Sequence, residues 1–266
     1  MNVLAEILAH KRDEVERARL LAPVEALRAL PAYAQAPRDF FTAVAAPNAR
    51  RPNVIAEIKR ASPSAGLIAQ DFDPVAIARQ YAAGGAVALS VLTDARFFRG
   101  DLALIQSVRT AVALPVLRKD FIVDSYQIHE SRAAGADAIL LIAEALSGAQ
   151  LAEFAALARS LQLGVLIEVH SAEPLAMVFT AMGPRRDGIL LGINNRNLAT
   201  QTIDIAVTEQ LSPRVLADLP IVSESGLRTR DDVRRMHAAG ARALLIGETL
   251  MRSGAPAEKL RELLGE

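Results

Sequence analysis

The chain has no cysteine, no tryptophan and no excess of either charge. Without cysteine there are no disulfides, no thiolate nucleophile and no Cys-ligated zinc. Thirty basic residues balance thirty acidic ones, so the electrostatic footprint of a nucleic-acid binder is missing. Aromatics amount to only 4%, too few for a base-stacking platform. No apolar run approaches the roughly 20 residues that span a bilayer. The start, Met1-Asn2-Val3-Leu4-Ala5-Glu6, lacks the basic-then-apolar order of a signal peptide. No cluster of His, Asp and Glu has metal-ligand spacing, and no serine sits in a nucleophile-elbow context. The expectation is a cytoplasmic protein, monomeric or weakly homo-oligomeric, that handles a small molecule without metal or cofactor. Neither nucleic acid nor membrane is expected as a partner.

Apolar residues make up 52% of the 266 positions, enough for a large core. From Val3 to Leu20, apolar side chains at Val3, Leu4, Ile7, Leu8, Val15 and Ala18 recur with helical period, and Lys11, Arg12, Asp13, Glu14, Glu16 and Arg17 form a polar face. Pro31, Pro37, Pro47 and Pro52 mark a connecting segment, with a short helix near Phe40–Val44. From Asn53 onward short apolar runs alternate with helical patterns. Strands are expected near residues 54–59, 86–92, 115–119, 138–142, 164–169, 189–194, 221–224 and 243–246. This βα rhythm, with continuously apolar strands, indicates a parallel sheet covered on both faces.

An internal echo supports equal units. Ala82-Ala83-Gly84-Gly85-Ala86, Ala133-Ala134-Gly135-Ala136 and Ala238-Ala239-Gly240-Ala241 each precede a strand, as where a helix ends in a left-handed glycine cap. Asp73-Pro74, Ser171 or Glu173-Pro174, and Thr229 or Ser225 offer helix starts. After the first run the chain reads Lys59-Arg60-Ala61-Ser62-Pro63-Ser64-Ala65-Gly66, not the glycine fingerprint of an open doubly wound sheet. The expected fold is therefore an α/β (β/α)8 TIM barrel, one domain of residues 53–266 with an N-terminal helical extension of residues 1–52.

Charges inside β-runs are costly unless paired, and here they cluster at strand ends. Glu57 and Lys59 are two apart and share a side. Lys119, Glu168, Asn194 and Glu224 end later strands. In a barrel the C-terminal strand ends carry the site, so these six residues are expected to converge. A partly dried lysine would titrate nearer neutrality, and a glutamate among carboxylates would titrate higher. Spacing alone leaves acid and base unassigned. Ser225-Gly226 and Gly247-Glu248 follow the last two strands, where barrels of this type often bind phosphate. Ser62 is a further candidate for that anion, and Arg196 for a phosphate or a carboxylate. The histidines read as incidental, His170 included, although it follows Glu168 closely.

As a set, Ile55-Ala56-Glu57-Ile58-Lys59-Arg60-Ala61-Ser62-Pro63-Ser64, Ser90-Val91-Leu92-Thr93-Asp94, Leu117-Arg118-Lys119-Asp120-Phe121-Ile122, Leu166-Ile167-Glu168-Val169-His170, Gly192-Ile193-Asn194-Asn195-Arg196-Asn197-Leu198, Ser223-Glu224-Ser225-Gly226 and Ile246-Gly247-Glu248 resemble the signatures of indole-3-glycerol phosphate synthases. They occur in order along nearly the whole chain. The resemblance implies a carboxy-lyase of tryptophan biosynthesis that ring-closes, decarboxylates and dehydrates 1-(2-carboxyphenylamino)-1-deoxyribulose 5-phosphate. It implies Lys119 as general acid, Glu168 as general base for dehydration, and Lys59 on the substrate carboxylate. Glu57 and Asn194 would orient lysines and hydroxyls, with Glu224 on the same polar floor. Ser62, Ser225, Gly226, Gly247 and Glu248 would hold the phosphate, and Pro63, Phe121, Leu140 and Leu198 would wall the ring. The N-terminal helix would cap the site. Many relatives carry a lysine where this chain has Ala65. Two other readings are a phosphoribosylanthranilate isomerase, whose acid–base pair is expected to be carboxylate or thiol, and a non-catalytic phosphate-binding barrel, which would need no Lys119 with Glu168.

Overall fold

The structure, a computed structural model, describes residues 3–184, 186–197 and 200–266. Eight parallel strands close into a barrel. They are β1 (Asn53–Ile58), β2 (Ala88–Leu92), β3 (Val116–Lys119), β4 (Ala138–Ile142), β5 (Gly164–Val169), β6 (Ile189–Asn194), β7 (Ile221–Glu224) and β8 (Ala241–Ile246). Each strand pairs with its neighbours in sequence, and β8 returns to β1 through Val54 opposite Leu244. The expected (β/α)8 barrel is what forms, and the strand limits differ from expectation by at most two residues. A two-stranded hairpin of Ala61–Ser62 with Gly66–Leu67 follows β1.

The strands are apolar throughout because each face has its own core. Val54, Ala56 and Ile58 join the outer cluster with the surrounding helices, whereas Ile55 joins the lumenal one. The lumen also takes Ala88, Leu117, Leu140, Leu166, Leu190, Val222 and Leu245. Phe40 and Val44, from the short helix Phe40–Ala45, belong to this cluster. Phe40 lies against Gly164 at the start of β5, so this helix plugs the N-terminal mouth. Asn53 ties it down by donating to the carbonyls of Val44 and Ala46.

The helix–strand junctions follow the sequence signals. Gly85, Gly135 and Gly240 adopt φ of 91°, 83° and 92°, a conformation with little cost only for glycine. Asp73 caps its helix by accepting from the Val75 and Ala76 amides. Thr229, not Ser225, opens the helix after β7 in a capping box with Asp232.

The N-terminal helix, Val3–Leu21, departs from its expected pattern at one position. Lys11 is fully buried, not on the solvated polar face. Ile7, Lys11 and Val15 recur every four residues and form the buried stripe. Lys11 Nζ lies 2.9 Å from Asp94 and 3.0 Å from Asp120, on the loops after β2 and β3. Burial opposes its charge, but Asp120 and Asp94 outweigh that and raise its pKa. Asp120 also pairs with Arg118 at 2.9 Å and accepts from Thr93 at 2.6 Å. The helix is thus bolted to the C-terminal rim by buried charge as well as by apolar contact.

Candidate active site

Side-chain parity along the strands builds the site. Residues two beyond the lumenal apolar layer point inward one level nearer the C-terminal rim. Ile55 is followed by Glu57, Leu117 by Lys119, Leu166 by Glu168, Leu190 by Gly192 and Asn194, and Val222 by Glu224. β1 ends at Ile58, so Lys59 stands just above the strand. All six expected polar residues line one cavity of about 460 Å³ at this rim. The structure therefore brings Glu57, Lys59, Lys119, Glu168, Asn194 and Glu224 together.

At its floor Lys119 Nζ lies 2.7 Å from Glu168 Oε2 and 3.3 Å from Glu224 Oε2. Beside it Lys59 pairs with Glu57 at 2.5 Å. Tyr81, buried behind β1, donates to the Glu57 carbonyl at 3.0 Å. The electrostatics correct one expectation. Burial alone would lower the Lys119 pKa, but Glu168, Glu224 and Glu57 outweigh it and push it up, not toward neutrality. The two glutamates separate. Burial would raise Glu168, yet Lys119 and His170 bring it down to about 2. Glu224 is pushed well up, by burial first and then, against the pull of Lys119, by the Glu168 carboxylate. Two acids that compete for one cation cannot both stay charged at low cost, so their pKa values are driven apart, Glu168 down and Glu224 up.

One side of the cavity is apolar. Phe121, Leu140 and Pro63 line it as expected, with Leu92, Phe98 and Ile142. Val3, Leu4 and Ile7 of the N-terminal helix complete this wall. Leu198 lies outside the described residues. The opposite end carries Ser62, Arg196, Ser225, Gly226, Gly247 and Glu248. Ser225 and Gly226 have φ of 68° and 82°, which turns the chain sharply back over the rim. Glu248 starts the short helix Glu248–Met251. Arg196 donates to Ser64 Oγ at 2.8 Å and stands 3.8 Å from Glu248. Arg228, Arg252 and Lys259 add cations at this end, and Arg252 reaches the Ala65 carbonyl at 3.5 Å. Among the described residues, no group of three or more His, Cys, Asp and Glu side chains is arranged to hold a metal ion. No helix among them is long and apolar enough to cross a membrane.

Sequence reasoning missed three parts of this arrangement. His170 is not incidental: its Nε2 is 3.4 Å from Glu168 Oε1 and its Nδ1 is 3.1 Å from Glu144 Oε1. Its place two residues after a lumenal glutamate was the available signal. Gly192 was the second. A Cβ built there would overlap Glu224 Oε1, and a lone glycine inside an apolar strand signals such close approach. The third is Gly247, where a Cβ would come within 3.0 Å of Glu57 Cβ and overlap its carboxylate. Its missing side chain makes room for a site carboxylate.

The fold and this pocket define a (β/α)8-barrel protein with a lysine–carboxylate centre at the C-terminal strand ends, where barrels of this architecture place their chemistry. The family model for indole-3-glycerol phosphate synthase matches residues 4–263. A curated indole-3-glycerol phosphate synthase of Acidithiobacillus ferrooxidans is 48% identical over 264 residues, covering 98% of both chains. One of Rhodospirillum rubrum is 48% identical over 265 residues, covering 99% of both. The chain belongs to the indole-3-glycerol phosphate synthase family. Among solved structures, a 3-hexulose-6-phosphate synthase shares the fold with a TM-score of 0.60 at 15% identity, over 80% of this chain and 98% of that one.

Proposed function

We propose that the chain converts 1-(2-carboxyphenylamino)-1-deoxyribulose 5-phosphate to indole-3-glycerol phosphate, carbon dioxide and water, with Lys119 and Glu168 as the central acid and base. The observation that carries this reading is Lys119 clamped between Glu168 and Glu224 on the floor of a cavity lined partly by apolar and partly by charged side chains of both signs. An acid must begin protonated and a base ionised. The raised pKa of Lys119 and the lowered pKa of Glu168 give both groups that starting state.

The substrate's shape matches the cavity's division. Its aromatic ring lies against Phe121, Leu140 and Pro63. Its phosphate goes to the opposite end, to Ser62, Ser225, Gly226 and the backbone of Gly247 and Glu248, with Arg196 and Arg252 balancing the charge. These arginines also supply cations beside Ala65, where many relatives have lysine. Lys59 holds the anthranilate carboxylate. Lys119 then protonates the ketone oxygen as the aryl carbon attacks and carbon dioxide leaves; in dehydration Glu168 takes the carbon-bound proton, which passes through Lys119, 2.7 Å away, to the departing hydroxyl so that the oxygen leaves as water. Glu57 orients Lys59, Asn194 orients the hydroxyls, and Glu224, whose pKa is raised, fills the floor beside Lys119.

The test is incubation with the carboxyphenylamino deoxyribulose phosphate in metal-free buffer while indole fluorescence is followed. Appearance of the indole at a rate proportional to enzyme supports the reading, and no fluorescence above the enzyme-free control rejects it.

A further inference from the structure

The carboxylate of Glu168 is almost sealed, with 2% of its side chain exposed. His170 stands behind it with 10% exposed, and Glu144 behind that with 22%. The line runs outward through Nε2 at 3.4 Å from Glu168 Oε1 and Nδ1 at 3.1 Å from Glu144 Oε1. Glu144 is fixed by accepting from the His170 backbone amide at 2.8 Å. Neither ring nitrogen makes an aligned hydrogen bond, and Glu144 Oε2 is likewise buried without one. The charged groups around the ring are Glu144 and Glu168, with Lys119 and Glu224 beyond Glu168.

The proposed reaction needs such a line. Its ketone oxygen leaves as water and must collect two protons. One equals the proton lost from carbon. The carboxylate leaves as neutral carbon dioxide and returns none, so each turnover draws one proton from solvent. Resting on the function proposed above, we propose that Glu144 and His170 carry this proton inward to Glu168 and so recharge Lys119. A proton delivered from the Glu144 side to Nδ1 makes the ring an imidazolium. Loss of the Nε2 proton to Glu168 Oε1 neutralises it, and the Glu168 carboxyl passes its proton to the Lys119 amine 2.7 Å away. A turn of the ring restores the first tautomer. His170 is thus a positioning and relay residue and does not touch the substrate.

The test compares the first turnover with the steady state in the full chain. In H170A and in E144Q the first indole per site should form much faster than the turnovers that follow, because Lys119 starts charged. The following steady state should fall about a hundredfold, the lower end for loss of a proton-transfer group, and be slower still in deuterium oxide. Added imidazole should restore the H170A steady state. Equal slowing of both phases, wild-type rates throughout, or a slow steady state indifferent to imidazole would each overturn the relay. If H170A does not fold, E144Q carries the same comparison of phases. Wild-type turnover in the same assay tests the parent reading separately.

Discussion

Glu224 lays its carboxylate over the bare α-carbon of Gly192, and the side chain that Gly192 lacks is the space Glu224 occupies. Gly192 is not among the glycines with positive φ, so its role here is steric. Its neighbour across the strands is Glu168. A methyl group at 192 would drive Glu224 toward Lys119 and Glu168. G192A should lower kcat by about a hundredfold, the scale of a 1 Å misplacement at a reacting centre. Its melting temperature should change little. Unchanged kcat in G192A would show that the floor tolerates displacement of Glu224.

The split between the two glutamates gives a sharper contrast. The Glu224 pKa is raised and the Glu168 pKa lowered, so an uncharged glutamine should be tolerated better at 224 than at 168. E224Q should keep kcat within about tenfold of wild type, whereas E168Q should lose on the order of 10² to 10³ and K119A at least as much. Binding of the indole product to K119A should weaken only modestly. Parallel kcat measurements on the three variants check this, and an E224Q defect as deep as that of E168Q would contradict that ordering.

Much of this centre was legible in the sequence because a barrel strand converts spacing into direction. Glu57, Lys119, Glu168 and Glu224 lie two residues beyond apolar lumenal positions and Asn194 four beyond Leu190, and apolar runs of that length admit few other uses for a polar group. The direction of the Lys119 shift was not legible, since it depends on how closely Glu168 and Glu224 approach it from two other strands. Arg252 and Lys259 reach the cavity only because closure of β8 on β1 brings the last helices beside the first loop. Lys11 was hidden by composition, since a lysine among five charged neighbours reads as solvated. Its partners Asp94 and Asp120 lie far along the chain.

Lys11 makes the N-terminal helix part of the site. Its ion pairs hold the helix that presents Val3, Leu4 and Ile7 to the cavity. Removing one partner from a buried ionic cluster typically costs about 3–5 kcal/mol. K11M should therefore lower the unfolding midpoint and raise KM more than it lowers kcat, because the helix supplies wall and not chemistry. Adding D94N should recover part of the lost stability by removing the carboxylate left unpaired. A K11M enzyme with wild-type KM would mean that apolar contacts alone seat the helix.

Acid should expose the same cluster. Burial would raise the Asp120 pKa, but Arg118 and Lys11, with the Thr93 hydroxyl, bring it down from 3.8 to about 2. A carboxylate depressed by folding stabilises the native state above its unfolded pKa, and that contribution disappears as pH falls through the folded value. The shift corresponds to on the order of 2 kcal/mol. Glu168, also lowered to about 2, acts with the same sign. Glu224 acts with the opposite sign, because protonating a raised carboxyl favours the fold. Stability should therefore hold or rise slightly on mild acidification and then fall steeply between about pH 4.5 and 2. D120N removes one of these depressed carboxylates. Its deficit against wild type should be greatest above pH 4 and shrink toward pH 2, as read from denaturant midpoints across that range. A deficit that stays constant to pH 2 would assign the role of Asp120 to shape and hydrogen bonding, not to its charge.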